Sequence, residues 1–286
     1  MWTDRSNCLA PLWADKVFHQ AISLGNFCHA AHALKLVEYR AFSGPFDWIF
    51  STPVVTTHIL QDDFRLFLDP EHYEPVPIEN RITPEANLCE HRFYRERFGL
   101  RFMFNHHSPD VAKDFAYFER AVQRFRSAMT QPAAPLLLMV THEPIKNAWL
   151  DTLMGTLNGL REDYGLLIIR FVANRQASVE ASLSAVQVMA HDLKLLAMEL
   201  TLSDRSSGLE FTNSADNRLL FALLKSFNVA HHPYLPSPFG RHDFDEAWYL
   251  AQNPDVVKAI ASGLFSSGWD HFDKFGRHEG RIAKHG

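Results

Sequence analysis

Pro135-Leu136-Leu137-Leu138-Met139-Val140 and Gly165-Leu166-Leu167-Ile168-Ile169-Arg170-Phe171-Val172 are near-continuous apolar runs, separated by a helical stretch from Asn147 to Leu160. A strand apolar on both faces is buried on both. Strand–helix–strand with two such strands marks a parallel sheet covered by helices. The expected class is therefore α/β, a mostly parallel sheet flanked by helices, with a small, mainly helical module at the C-terminal end.

Upstream, Phe18 to Gly25 reads as a short buried strand, and Asn26 to Arg40 has helical apolar spacing with Asn26 as its N-cap. Pro53 opens a helix through Leu60. Residues 69–86 hold four prolines and read as loop, and Leu100 to Phe104 reads as a strand. Asp110 to Met129 is an amphipathic helix. Downstream, Leu193 to Leu200 fits a strand or a helix end, and Asp216 to Phe227 a closing helix. The proline-rich stretch His231 to Gly240 reads as a linker. The expected domains are thus 1–231 and a module at 243–286.

Composition sets the class. The chain has 286 residues, 33 acidic and 28 basic, for a net charge of −5 without Lys/Arg runs, which argues against a nucleic-acid binder. No apolar run reaches the ~18–20 residues of a membrane span. The N-terminal stretch lacks the long apolar segment of a signal peptide. Three cysteines, Cys8, Cys28 and Cys89, build no disulfide framework. A protein of a reducing, cytoplasmic compartment is expected. The 23 phenylalanines are spread at core-like positions and read as packing.

Cys28 stands out among the chemically active residues. It follows a strand–glycine turn and opens a helix, where free N–H groups and the helix dipole lower a thiol's pKa. N–H groups near Asn26 and Phe27 are placed to hold an oxyanion. His29 and His32 lie within the first turn. His106 and His107 follow a predicted strand, where parallel sheets assemble sites, and either could serve Cys28 as a base. Asp47, between Phe46 and Trp48, is a carboxylate that must find a partner, as the orienter of a histidine or as a loop tie. Cys28, His32, His106 and His107 are zinc-competent. However, no CxxC or HExxH pattern occurs, and no phosphate-binding glycine loop, so neither metal nor cofactor is expected.

Ile22-Ser23-Leu24-Gly25-Asn26-Phe27-Cys28-His29-Ala30-Ala31, then Leu34, then Arg40-Ala41-Phe42-Ser43-Gly44-Pro45-Phe46-Asp47-Trp48-Ile49, follow the pattern SLGxxCxxAxxL…RxxSxPFDWI. Phe104-x-His106, Phe118-Glu119-Arg120 and Arg124-Phe125 add to it. Over residues 17–228 the chain resembles a bacterial domain family of unknown function named for papain-like cysteine peptidases. The resemblance implies Cys28 as nucleophile and His106 as its base. Relatives tend to carry His-Asp where this chain has His106-His107, so either imidazole fits the role. No motif fixes a third member, for which Asp47 is a candidate. A papain-type fold pairs a helical half with an antiparallel half, whereas the strand pattern here predicts one parallel sheet.

The tail, from Phe244-Asp245 through Asn253-Pro254-Asp255-Val256 to His271-Phe272 and Glu279-Gly280-Arg281, resembles a module of pattern DxxYYLxxNPDV…HYxxxGxxEGR found beside bacterial polysaccharide proteins. It implies an accessory unit with a protein or glycan partner. The expected activity is that of a cysteine-nucleophile hydrolase or acyl transferase on a peptide or other acyl substrate. The alternative is a non-catalytic glycan- or protein-binding protein.

Overall fold

The computed structural model describes residues 13, 15–173, 186–230, 244–276 and 281. Expectations for Cys8 and for the linker at 231–240 lie outside the described residues. The chain forms two compact units, Met1–His232 and Pro233–Gly286.

The first unit is built on a five-stranded sheet. β1 (Gln20–Ser23), β4 (Pro135–Thr141), β5 (Gly165–Ala173) and β7 (Leu195–Leu202) run parallel, and β6 (Val186–His191) closes one edge antiparallel to β7. The order is β1-β4-β5-β7-β6. A small hairpin, β2 (Tyr73–Pro75) with β3 (Cys89–His91), stands apart from it. The strand period of two sends alternate side chains to opposite faces. Ile22, Leu137, Met139, Ile168 and Ala197 pack under α2 (Pro53–Gln61), α4 (Ala112–Thr130) and α5 (Asn147–Leu160). Ala21, Leu138, Val140, Ile169 and Met198 pack under α1 (His29–Leu36) and α6 (Ser214–Lys225). Each apolar run therefore feeds two cores, and the buried polar residues of the strands, Gln20, Ser23 and Thr141, lie at strand ends.

Two expectations need correction, and one open alternative is resolved. The helix after β1 starts at His29, and its N-cap is Cys28, in right-handed conformation and without a side-chain cap bond. Asn26 is instead tied to the next loop, its carbonyl accepting from Ser51 N–H at 2.8 Å. Leu100 to Phe104 is no strand, because Phe102 has φ +53° and breaks the extended path. Only Phe104 makes bridges there, to Ile49 and Cys89. Leu193 to Leu200 resolves as strand β7, since its residues feed the two cores alternately.

α3 (Arg92–Phe98) follows the hairpin and ends at Gly99, whose φ of +69° is a left-handed cap. The second unit contains α7 (Glu246–Gln252), α8 (Pro254–Ala261), α9 (Gly268–His271) and a π turn at Phe272–Gly276 around Tyr249, Val256 and Phe272. The Glu246 carboxylate accepts from the N–H groups of Gly268 and Trp269, and Tyr249 Oη lies 2.9 Å from His271 Nδ1. Among the described residues, no helix is long and apolar enough to cross a membrane.

Candidate active site

The turn after β1 is pinned from three sides. Leu24 N–H donates to Leu138 O at 2.7 Å, Gly25 O accepts from Val140 N–H, and Gly25 N–H donates to Ser23 Oγ. Gly25 has φ +81°, and a Cβ there would meet Ser51 Oγ at 2.8 Å, so glycine is required. The turn thus delivers Cys28 to the carboxyl end of the sheet, where parallel folds assemble their sites. The first N–H groups of α1 lack intrahelical acceptors by construction, and the N-cap side chain takes none of them.

Cys28 is only 3% exposed. Burial pushes its thiol up to about 12, aided by the nearby Asp47 carboxylate, while its own backbone N–H pulls the other way. The expected lowering at a helix start is therefore reversed. The helix-end effect is worth about 0.3–2 kcal/mol, and desolvation of a charge costs more. At rest the thiol is protonated.

Around this turn the carboxyl ends of β1, β4, β5 and β7 gather an aromatic and imidazole cluster. The His142 ring, just past β4, is stacked on Phe27 with centroids 4.9 Å apart and meets Phe171 edge-on. Its pKa is lowered by the part of it that is buried, with a hydrogen bond to the Phe171 backbone opposing. His29 is buried against Phe171 and Phe211, with Nδ1 2.7 Å from Ser206 Oγ. Burial, then the neighbouring His32 and His142, lower its pKa to about 3, so the ring is neutral. His32 Nε2 lies 2.9 Å from Glu210 Oε1. Sequence reasoning missed His142, Ser206 and Glu210. His142 carried one available signal, its place directly after a buried strand; the other two sit in a loop without a motif.

His106 and His107 have other neighbours. The Asn105 amide donates to His106 Nε2 at 2.9 Å, and Asn105 Oδ1 accepts from Asn87 N–H. His107 stacks on Tyr117 at 4.3 Å and approaches Asp114 at 3.4 Å. The next residue, Ser108, reaches Cys89. Among the described residues, no hydrogen bond or ring contact joins Cys28 to His106 or His107. Asp47 is 1% exposed and bonded to Arg40 Nη1 and Gly44 N–H, each at 3.0 Å. Burial raises its carboxyl to about 6, held back by Arg40. It ties the loop of residues 40–47, and no imidazole is bonded to it among the described residues. No three His, Cys, Asp or Glu side chains gather to hold a metal ion among those residues.

A family model described as "Putative papain-like cysteine peptidase (DUF1796)" matches residues 19–212. The chain belongs to this family. The match spans the sheet from β1 through β7 and includes Cys28, His106 and His142. The family architecture in this chain is thus one mostly parallel sheet between two helical layers. Neither a curated protein nor a solved structure matches the chain.

Proposed function

We propose that the chain is a cysteine-nucleophile hydrolase or acyl transferase acting on an amide or acyl bond, with Cys28 as the attacking thiol. The observation that carries this reading is the delivery of Cys28, by a glycine-dependent turn, to an uncapped helix start at the carboxyl end of the sheet. Family membership supports a cysteine hydrolase. Sequence motifs favour His106 or His107 as the base. Packing favours His142, whose ring lies on the residue next to Cys28.

Because the resting thiol is protonated, the base must take the proton as attack proceeds. Sγ bonds to the carbonyl carbon while its proton passes to the imidazole. N–H groups of residues 26–28 hold the oxyanion. Collapse breaks the bond to the leaving amine or alcohol, which takes the proton back. The thioester then passes its acyl group to water or to an acceptor. Incubation with p-nitrophenyl acetate should give a burst of p-nitrophenol and an acetyl adduct mapped to Cys28 by peptide mass spectrometry. An acetyl group found on lysines alone, with no burst, defeats the reading.

One observation favours the second reading, a binding protein of glycan or protein ligands: burial of an inert, protonated thiol is also what a structural cysteine shows. A Cys28→Ala chain that folds and retains every measurable property supports it. The second unit would then be the partner-binding part, through the tail pattern around Asn253-Pro254-Asp255.

A further inference from the structure

At the opposite, amino end of β1, the chain forms an open cleft of about 420 Å³ between the start of that strand and α4. Its polar wall is made by His19, Gln20, Gln123, Arg124, Ser127 and Gln131, and among the described residues no carboxylate lines it. Gln123, Ser127 and Gln131 recur at four-residue spacing, which sets them on one face of α4 and its C-cap. His19 Nδ1 lies 2.9 Å from Ala134 O, so that nitrogen carries the proton, and Nε2 accepts from the Gln20 amide at 2.7 Å. Arg124 is the charged member of the wall.

Arg124 is incompletely compensated. Its Nε donates to Ser43 O at 3.2 Å, while Nη2 is buried without an acceptor. Burial lowers its pKa, and the like charges of Arg120 and Arg40 add to that, with Asp47 among the groups opposing. Nη2 is closed to solvent and so to the cleft, and pairing with a cleft ligand falls to the rest of the guanidinium, whose fork of N–H donors suits a negatively charged oxygen. A cleft of this volume exceeds a bare ion and falls in the range of small-molecule sites.

We propose that this cleft is a binding subsite for a small polar molecule bearing an oxyanion, phosphate or carboxylate, paired with Arg124, its remaining polar groups meeting the glutamine amides and Ser127. The site is distinct from the Cys28 turn and does not depend on the chemistry proposed there. Arg124 and Phe125 belong to the motif set of the chain, and the Cys28 chemistry gives Arg124 no role.

Titration calorimetry on the full chain tests this with glucose 6-phosphate and glucuronate as the two oxyanion classes, inorganic phosphate as the bare ion, and glucose as the neutral control. Expected is saturable binding of one or both charged sugars, at least tenfold tighter than glucose. Which of them binds identifies the oxyanion class. Arg124→Gln should weaken it at least tenfold. Gln123→Glu, at an exposed position that leaves Arg124 in place, should do the same by adding a negative charge to the wall. Equal affinity for glucose, unchanged affinity in Gln123→Glu, or no binding of any probe at millimolar concentration overturns the proposal.

Discussion

Cys28 and Cys89 are both buried, and burial pushes both thiols up to about 12. Their surroundings differ. Cys89 sits in β3, 0% exposed within the core under α4, and its Sγ–H donates to Glu90 O at 3.2 Å. Cys28 belongs to neither apolar core, caps a helix, and has imidazole and aromatic rings at the adjoining strand ends. A raised thiol pKa therefore does not distinguish a structural cysteine from a nucleophile. Position on the sheet and the neighbouring rings set the two thiols apart, and the nucleophile proposal for Cys28 rests on these.

The largest effect expected is the split between these two thiols. Cys28→Ala should abolish the acetyl adduct and the burst. Cys89→Ala should keep both and lose about 1–2 kcal/mol of stability, the scale of a small deletion in a packed core. Loss of the burst in Cys89→Ala with native stability would invert the comparison.

The histidines sharpen it next. His142→Ala should slow the burst by about 10²–10⁴-fold, the usual contribution of a general base. His106→Ala and His107→Ala, whose partners include Asn105, Asp114 and Tyr117, should stay within about threefold, well below that range. The reverse ranking moves the base to the Cys89 side of the molecule and refutes the His142 assignment.

Third, Arg40→Met strands Asp47 as a buried, unpaired carboxylate and should cost about 3–5 kcal/mol in denaturant unfolding. Arg40→Met with Asp47→Asn should recover part of that loss. Asp47 also has a pH signature. Its folded pKa of about 6 exceeds the unfolded value of 3.8. Its contribution is therefore fully present below pH 3.8 and is lost as pH rises through 6. His29 has the opposite sign. Its pKa falls from 6.5 to about 3 on folding, so the unfolded chain binds the proton first and stability is lost as pH falls below 6.5. His29→Gln should remove that acid limb. Relative to the variant, the native chain should lose up to about 1.4 kcal/mol per pH unit below 6.5. A pH-independent difference would mean that His29 is not buried neutral.

These contrasts also explain what could be read from the sequence. β4, α5 and β5 lie where the apolar runs and helical spacing put them, because a strand buried on both faces has no polar alternation to obscure it. β3 and α3 escaped, being short and held by partners distant in sequence. The path through Leu100 to Phe104 has strand composition, yet its conformation is set at Phe102 by the loop it must enter. For the site, the placement of Cys28 was readable from strand, glycine and helix. Its protonation state was not, since a helix start is local information and burial is not. The imidazole at the end of the neighbouring strand depends on β1 pairing with β4, which only the folded sheet supplies.

The smallest effect concerns the loop after β7, which meets α1 through two histidines of different kinds. His29 is buried with Ser206, whereas His32 and Glu210 form a pair with side chains 24% and 49% exposed. An exposed pair of this kind is worth about 0.2–1 kcal/mol and is screened by salt. His32→Ala should therefore lower stability by less than about 1 kcal/mol at low ionic strength, with the difference vanishing in molar salt. The burst at Cys28 should be unchanged. If His32→Ala instead slows the burst while leaving the unfolding midpoint in place, the Glu210 pair acts on the chemistry at Cys28, and the division between a reacting turn and a merely fastened loop no longer holds.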